Sequence, residues 1–219
     1  VTIAQQKVFN GYELYQNGAD ILDIGAESSR PGSEPISVQE ELDRLCPVVE
    51  LIAKSIPIPI SVDTYKPEVA ETVLKEGASI INDITGLQNE SLAHVIAKHN
   101  SSVIIMHMQG NPKTMQQNPI YDNLIHDIYD FLEQAIETAQ NAGIKSDRII
   151  LDPGIGFGKT LEDNYRIIKN ISIFKTLEKS ILIALSRKSL IGNLYRNQNK
   201  KDIDRLPGTI ALNIVSLLH

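Results

Sequence analysis

Residues 58–83, IPISVDTYKPEVAETVLKEGASIIND, hold one complete repeat of the fold. Ile58-Pro59-Ile60-Ser61-Val62-Asp63 is an apolar run that ends on a carboxylate. Lys66-Pro67 then opens a helix, because proline's fixed φ suits the first helical position, and Glu76-Gly77 closes it. Ile80-Ile81-Asn82-Asp83 is the next apolar run, and it too ends on polar groups. Working outward, the pattern recurs at Ile21-Leu22-Asp23, at Val103-Ile104-Ile105-Met106-His107, at Ile149-Ile150-Leu151-Asp152 and at Ile181 to Lys188, each run followed by a helical stretch. Polar groups at the same end of six βα units describe a parallel barrel with one working face. The runs are rich in Ile and Val with little alternation, as expected of strands covered on both faces.

Strands are expected at 21–25, 58–63, 79–84, 102–107, 148–152 and 181–186, and six are too few to close an eight-stranded barrel. The chain opens with a helix and stops within another, so both ends read as trimmed, with one strand missing before Val1 and one after His219. A six-stranded doubly wound sheet is the alternative, but it gives no reason for a chain that begins mid-unit. The expectation is an α/β TIM (β/α)8 barrel, one domain over 1–219, lacking its first and last strands. Among the helices, Gly18 ends one that includes Asn10–Asn17. Ser37 caps a second, with Glu40 completing a capping box and Leu42, Leu45, Val48, Val49 and Ile52 as the buried stripe. Others span 89–99, 161–169 and 207–218. The longest, roughly 121–142, carries Leu124, Ile128, Phe131, Leu132, Ala135 and Ile136 at helical spacing.

The formal net charge is −6, and Lys200-Lys201 is a basic pair in a polar loop, far short of a nucleic-acid stripe. No apolar run approaches the ~20 residues that cross a bilayer, and Val1 to Gln6 is too polar for a signal peptide. The single cysteine, Cys46, excludes an internal disulfide and fits a reducing cytoplasm.

Gly154-Ile155-Gly156-Phe157-Gly158-Lys159-Thr160 fails as a P-loop, because Pro153 occupies the first glycine position. It fails as a dinucleotide fingerprint because Lys159 occupies the third. What remains is a loop that lets backbone approach a ligand. Glu27-Ser28-Ser29-Arg30-Pro31-Gly32-Ser33 and Ser186-Arg187-Lys188-Ser189 both combine cations with hydroxyls, and the second enters a helix N-terminus, where an anion is favoured. Asp63, Asn82 and Asp152 form a ring of acceptors and donors suited to a neutral heterocycle with amino and N–H edges. Asp83 reads as a helix cap or a buried support as readily as a site residue, and His107 divides between a helper role and packing. His94, His99, His126 and His219 read as surface residues, and no His or Cys pair has metal-ligand spacing.

The strings Asp20 to Gly32, Ser61-Val62-Asp63-Thr64, Ile81-Asn82-Asp83-Ile84, Met106-His107-Met108, Leu151 to Lys159 and Ser186-Arg187-Lys188-Ser189 occur in that order over nearly the whole chain. They resemble dihydropteroate synthase. The resemblance implies the eight-stranded barrel and a cytoplasmic enzyme of folate biosynthesis, commonly a homodimer, that binds neither nucleic acid nor membrane. Its reaction joins 7,8-dihydropterin-6-ylmethyl diphosphate to 4-aminobenzoate with loss of pyrophosphate, and sulfonamides compete for the aminobenzoate place. It implies that Asp63, Asn82, Met106, Asp152 and Lys188 hold the pterin. Ser29, Arg30 and Pro31, on a mobile loop, would contact aminobenzoate together with Phe157 and Ser189. Asp63, Lys188 and Arg30 would carry the chemistry. The diphosphate bond is thought to break first in this family, so Asp63 would face a pterin cation and bind the transition state more strongly than the ground state.

The resemblance also implies Mg²⁺, but the family's Asn ligand would lie before Val1, leaving no metal ligand in this chain. The family's last Arg and His would lie past His219. Where the family usually has Thr, this chain has Ser29. A corrinoid-dependent pterin methyltransferase would share the Asp and Asn ring but has no benzoate for the two cationic loops to hold. A non-catalytic pterin-binding module is the third reading.

Overall fold

The computed structural model describes residues 3–193 and 204–219; Lys200-Lys201 lies outside the described residues. Strands β1 (Leu22–Gly25), β2 (Ile60–Asp63), β3 (Ile80–Asp83), β4 (Ser102–Met106), β5 (Ile149–Asp152) and β6 (Ser180–Ile181) form one parallel sheet in the order β1-β2-β3-β4-β5-β6. Strictly sequential order is the topology of a barrel wall. A doubly wound sheet reverses direction at a switch point, and none is present here. Helices α1 (Ile3–Gln16), α2 (Val38–Ser55), α3 (Pro67–Lys75), α4 (Glu90–Lys98), α5 (Leu124–Asn141) and α6 (Leu161–Lys169) connect the strands or lead into them. The short α7 (Ile171–Phe174) and α8 (Ser189–Asn193) and the longer α9 (Leu206–Leu218) complete the described chain. No described helix is long and apolar enough to cross a membrane.

Register decides which side chains face the working interior. Val62 pairs with Ile81, Ile81 with Val103 and Ile105 with Leu151; all of these are fully buried in the core between sheet and helices. Side chains alternate along a strand, so the partners of opposite parity point inward: Asp23 opposite Ser61, Asp63 opposite Asn82, Asn82 opposite Ile104, and Met106 opposite Asp152. The parity also separates neighbours. Asn82 faces the interior, whereas Asp83 faces the helices, where its carboxylate accepts from the Thr85 and Leu87 N–H groups at 2.8 Å each. Asp83 is therefore a buried support for the turn after β3, and the cap of α4 is Asn89 instead.

Four expectations change. The last strand spans only Ser180–Ile181 rather than 181–186, because β5 is its only pairing neighbour among the described residues and the ladder ends with the Leu182 N–H bond to the Leu151 carbonyl. On α2, Glu41 takes a buried place and Leu42 is only half-buried, because Glu41 meets the Lys66 ammonium at 2.5 Å. Ser37 caps the Glu40 N–H, but the Glu40 carboxylate turns to Arg44, so the box is not reciprocal. Helix α5 begins at Leu124, leaving residues 107–123 as a long loop over the face of the sheet, and Phe131 is only half-buried there.

Candidate active site

At the C-terminal end of the sheet the inward positions assemble a polar floor. Asn82 donates to Asp23 at 3.2 Å across the intervening β2. Gly25 lies beside Asp63, and a Cβ there would sit 3.0 Å from the Asp63 carboxylate, so the absent side chain leaves that carboxylate its space. Burial and the negative charges of Asp23, Asp152 and Glu41 push the Asp63 pKa up to about 7. Asp152 is buried, accepts from the Gly154 N–H at 2.7 Å, and has its pKa raised by burial against the opposing pull of Lys188. Met106, with Met108 and Met115, forms an apolar wall on which Ile84 and Phe157 pack.

The loop after β5 closes the other side. Gly154 has φ +72°, and a Cβ there would come within 1.8 Å of the His107 carbonyl oxygen, so only glycine lets the loop lie this close to β4. Lys188 donates to the Ile155 carbonyl, and its ammonium sits 4.8 Å from the centre of the Phe157 ring. Burial draws its pKa down, with Asp152 opposing. Together with Ser29, Arg30, Pro31, Phe157, Ser186 and Ser189, Lys188 lines a cavity of about 930 Å³. Ser189 begins α8, as the sequence suggested, although that helix is only five residues long.

The loop bearing Ser29-Arg30-Pro31 is held at its neck. Glu27 accepts from Lys66 at 2.6 Å, the Ile36 N–H at 2.9 Å and Tyr65 at 2.8 Å, while Lys66 also donates to the Ile36 carbonyl at 2.8 Å and meets Glu41. The two ends of the loop are thereby tied to one ammonium. Burial pushes the Glu27 carboxyl up, but Lys66, the Ile36 N–H and Tyr65 outweigh it and hold the pKa below its usual value. The tip docks across the face: the Gly32 N–H donates to the Pro112 carbonyl at 3.1 Å, and Glu34 pairs with Lys113 at 2.6 Å.

Asp63, Asn82, Met106 and Asp152 thus fall on the floor and Ser29, Arg30, Pro31, Phe157, Lys188 and Ser189 around the cavity, whereas Asp83 lies on the other side of the sheet. His107 is buried beside them. Two participants were not foreseen. Asp23 was visible only as the end of an apolar run, and parity with Asp63 is the signal that finds it. Lys159 appeared only as the residue spoiling a nucleotide fingerprint, yet its side chain is buried in this wall. For Mg²⁺, no three His, Cys, Asp or Glu side chains among the described residues converge as a metal group, and Asp23 is engaged by Asn82. The described residues do not make a site for a resident ion.

A parallel barrel wall with acceptors, an amide and a cation converging on an apolar slot defines a pterin-binding enzyme, and the family model described as pterin binding enzyme matches residues 3–219. The dihydropteroate synthase of Escherichia coli K12 is 42% identical over 202 residues, covering 92% of this chain and 71% of the relative. That of Bacillus subtilis is 41% identical over 203 residues, covering 92% and 69%. The crystal structure of Yersinia pestis dihydropteroate synthase with a sulfonamide drug complex superposes with TM-score 0.90 at 39% identity, over 96% of this chain and 76% of that one. The Xanthomonas albilineans dihydropteroate synthase with 4-aminobenzoic acid gives 0.91 at 35% identity, over 100% and 77%. The chain belongs to the dihydropteroate synthase family.

Proposed function

We propose that this protein condenses 7,8-dihydropterin-6-ylmethyl diphosphate with 4-aminobenzoate, releasing pyrophosphate and forming 7,8-dihydropteroate for folate synthesis. The observation that carries the reading is the inward convergence of Asp63, Asn82 and Asp152 opposite Lys188, beside a cavity lined by Arg30 and Phe157. The carboxylates accept from the amino and N–H edge of the pterin, Asn82 supplies both a donor and an acceptor, and Lys188 donates to the carbonyl side. Met106 packs against the ring. As the carbon–oxygen bond to diphosphate breaks, positive charge spreads over the pterin, and the half-buried Asp63 carboxylate stabilises that charge more than it does the neutral ring. The aminobenzoate amine then forms the carbon–nitrogen bond and loses a proton, with its ring at Phe157 and its carboxylate near Ser189. Ser29, Arg30 and Pro31 close over it. Sulfonamides, which share the aniline ring and an anionic end, fit the same place.

Mg²⁺ belongs to this reading as a companion of the diphosphate substrate, and no step here is derived through it. A homodimer in the cytoplasm belongs to it too, and the exposed Ile210, Ile214 and Leu217 of α9 offer an apolar face for the second copy. The test is pyrophosphate release from the pterin diphosphate with and without 4-aminobenzoate. Aminobenzoate-dependent release, lost in Lys188→Ala, is expected. Release indifferent to aminobenzoate, or full activity in the variant, overturns the reading, and methyl transfer from methyltetrahydrofolate would replace it with the methyltransferase alternative.

A further inference from the structure

Lys159 is almost completely buried, 3% exposed, and none of the proposed chemical steps uses it. Its ammonium has three partners: the Phe157 carbonyl at 2.9 Å, the His107 carbonyl at 3.3 Å and the His107 Nδ1 at 2.9 Å. An ammonium carries three donors and no acceptor, so this set matches it completely, and His107 must present an unprotonated Nδ1. The His107 ring is itself fixed, edge-on to Phe131 with centroids 4.9 Å apart. Two of the acceptors lie on residue 107, directly after β4, and the third lies on the β5 loop. The loop's other ties run outward from the same segment: the Gly156 N–H to Asn164 at 2.6 Å, Gln116 to the Gly156 carbonyl at 3.0 Å and Tyr121 to the Gly158 carbonyl at 2.7 Å.

We infer that Lys159 is a positioning residue for the aminobenzoate half of the site: by riveting the Phe157 carbonyl to His107 it sets where the Phe157 ring stands, and with it the surface facing Arg30 across the cavity. The inference rests on the proposed synthase reading. Asp63 and Asn82 are placed by strand pairing, so their part of the pterin floor does not depend on the rivet; Asp152, bonded to Gly154, and Lys188, bonded to the Ile155 carbonyl, touch the riveted loop at one end only. Burial draws the Lys159 pKa down to about 7, with Asp152 and Asp163 raising it and Lys188 lowering it. A cation kept so far from water is consistent with a group retained for its three partners rather than for solubility.

The test compares wild type with Lys159→Met, which removes every donor, and Lys159→Gln, which keeps two. The KM for each substrate, kcat, thermal melting and amide exchange at 154–158 are measured. Lys159→Met is expected to raise the aminobenzoate KM about tenfold or more, the scale of a small misplacement of a binding group, with a clearly smaller rise in the pterin KM and Lys159→Gln between. Amide exchange at 154–158 is expected to quicken in both variants while β4 keeps its protection. A lowered melting temperature with both KM values unchanged would make Lys159 a merely structural residue and overturn the inference, as would equal losses for both substrates. If Lys159→Met does not fold, the KM split in Lys159→Gln decides. A wild type that releases no pyrophosphate in response to aminobenzoate refutes the functional reading instead. The exchange data then judge the rivet alone, and unchanged protection refutes it.

Discussion

Asp63 shows how one side chain couples stability to chemistry. Its pKa is raised from 3.8 to about 7, first by burial and then by Asp23, Asp152 and Glu41. Between those values the folded protein holds a proton that the unfolded chain releases, so the stability due to Asp63 is present in acid and is lost as pH rises through about 7. Asn, which cannot ionise, removes that loss: Asp63→Asn is expected to melt higher than wild type at pH 8, with the difference shrinking steadily as pH falls from about 7 toward about 4. The same substitution removes the carboxylate that faces the developing pterin cation, and turnover should fall on the order of a hundredfold. In wild type, kcat/KM for the pterin diphosphate should climb through an acid limb near pH 7, because the free enzyme needs the ionised form. A variant both less stable at pH 8 and fully active would refute the assignment. Asp63, Asn82 and Asp152 were legible in the sequence because each ends an apolar run. Asp23 ends one too, but position in a run does not say which face a side chain takes, and only pairing with β2 showed that Asp23 shares the interior with Asp63 while Asp83 does not.

At the scale of elements, boundaries followed local chemistry and failed where long-range contacts decided. The Pro67 opening of α3 and the Ser37 cap of α2 are local, and both stand where the sequence put them. The burial of Glu41 was illegible because its reason, Lys66, lies 25 residues away on another element. That ammonium bridges Glu41, which is 1% exposed, and the half-buried Glu27. Lys66→Met would leave two carboxylates facing one another without a cation. Removing one partner of a buried pair costs about 3–5 kcal/mol, and a urea unfolding midpoint lowered accordingly is expected. Because Lys66 also holds the Ile36 carbonyl, the neck of the Ser29-Arg30-Pro31 loop should loosen, and the aminobenzoate KM should rise with the loss of stability. On the β5 loop, Gly154→Ala puts a methyl group where the His107 carbonyl stands, in a backbone region that disfavours any side chain. A clear drop in melting temperature is expected, and an unchanged one would mean that the loop can move away from β4.

Across the whole molecule, charge is sorted in a way that the total conceals. The chain carries a net −6, which by itself repels a diphosphate. Yet, among the described residues, the cavity beside the pterin floor is lined by Arg30, Lys159, Arg187, Lys188 and Arg205 and by no carboxylate, while Asp23, Asp63 and Asp152 lie on the inward face of the sheet. The fold produces this separation by drawing its acids from strand ends and its bases from the loops after β1, β5 and β6 and from the start of α9. Two opposite salt effects therefore compete. If the net charge governs, added salt screens repulsion and lowers the KM for the pterin diphosphate. If the local cations govern, salt weakens attraction and raises it. The local cations should win, because at 0.1 M salt screening acts over about 10 Å and leaves the charges of the cavity wall as the nearest the diphosphate senses at contact. Between 0.02 and 0.5 M salt, the KM for the diphosphate is expected to rise roughly severalfold, while binding of the same pterin without its diphosphate, measured by calorimetry, stays nearly flat. A KM that falls with salt would show that the basic loops do not receive the diphosphate.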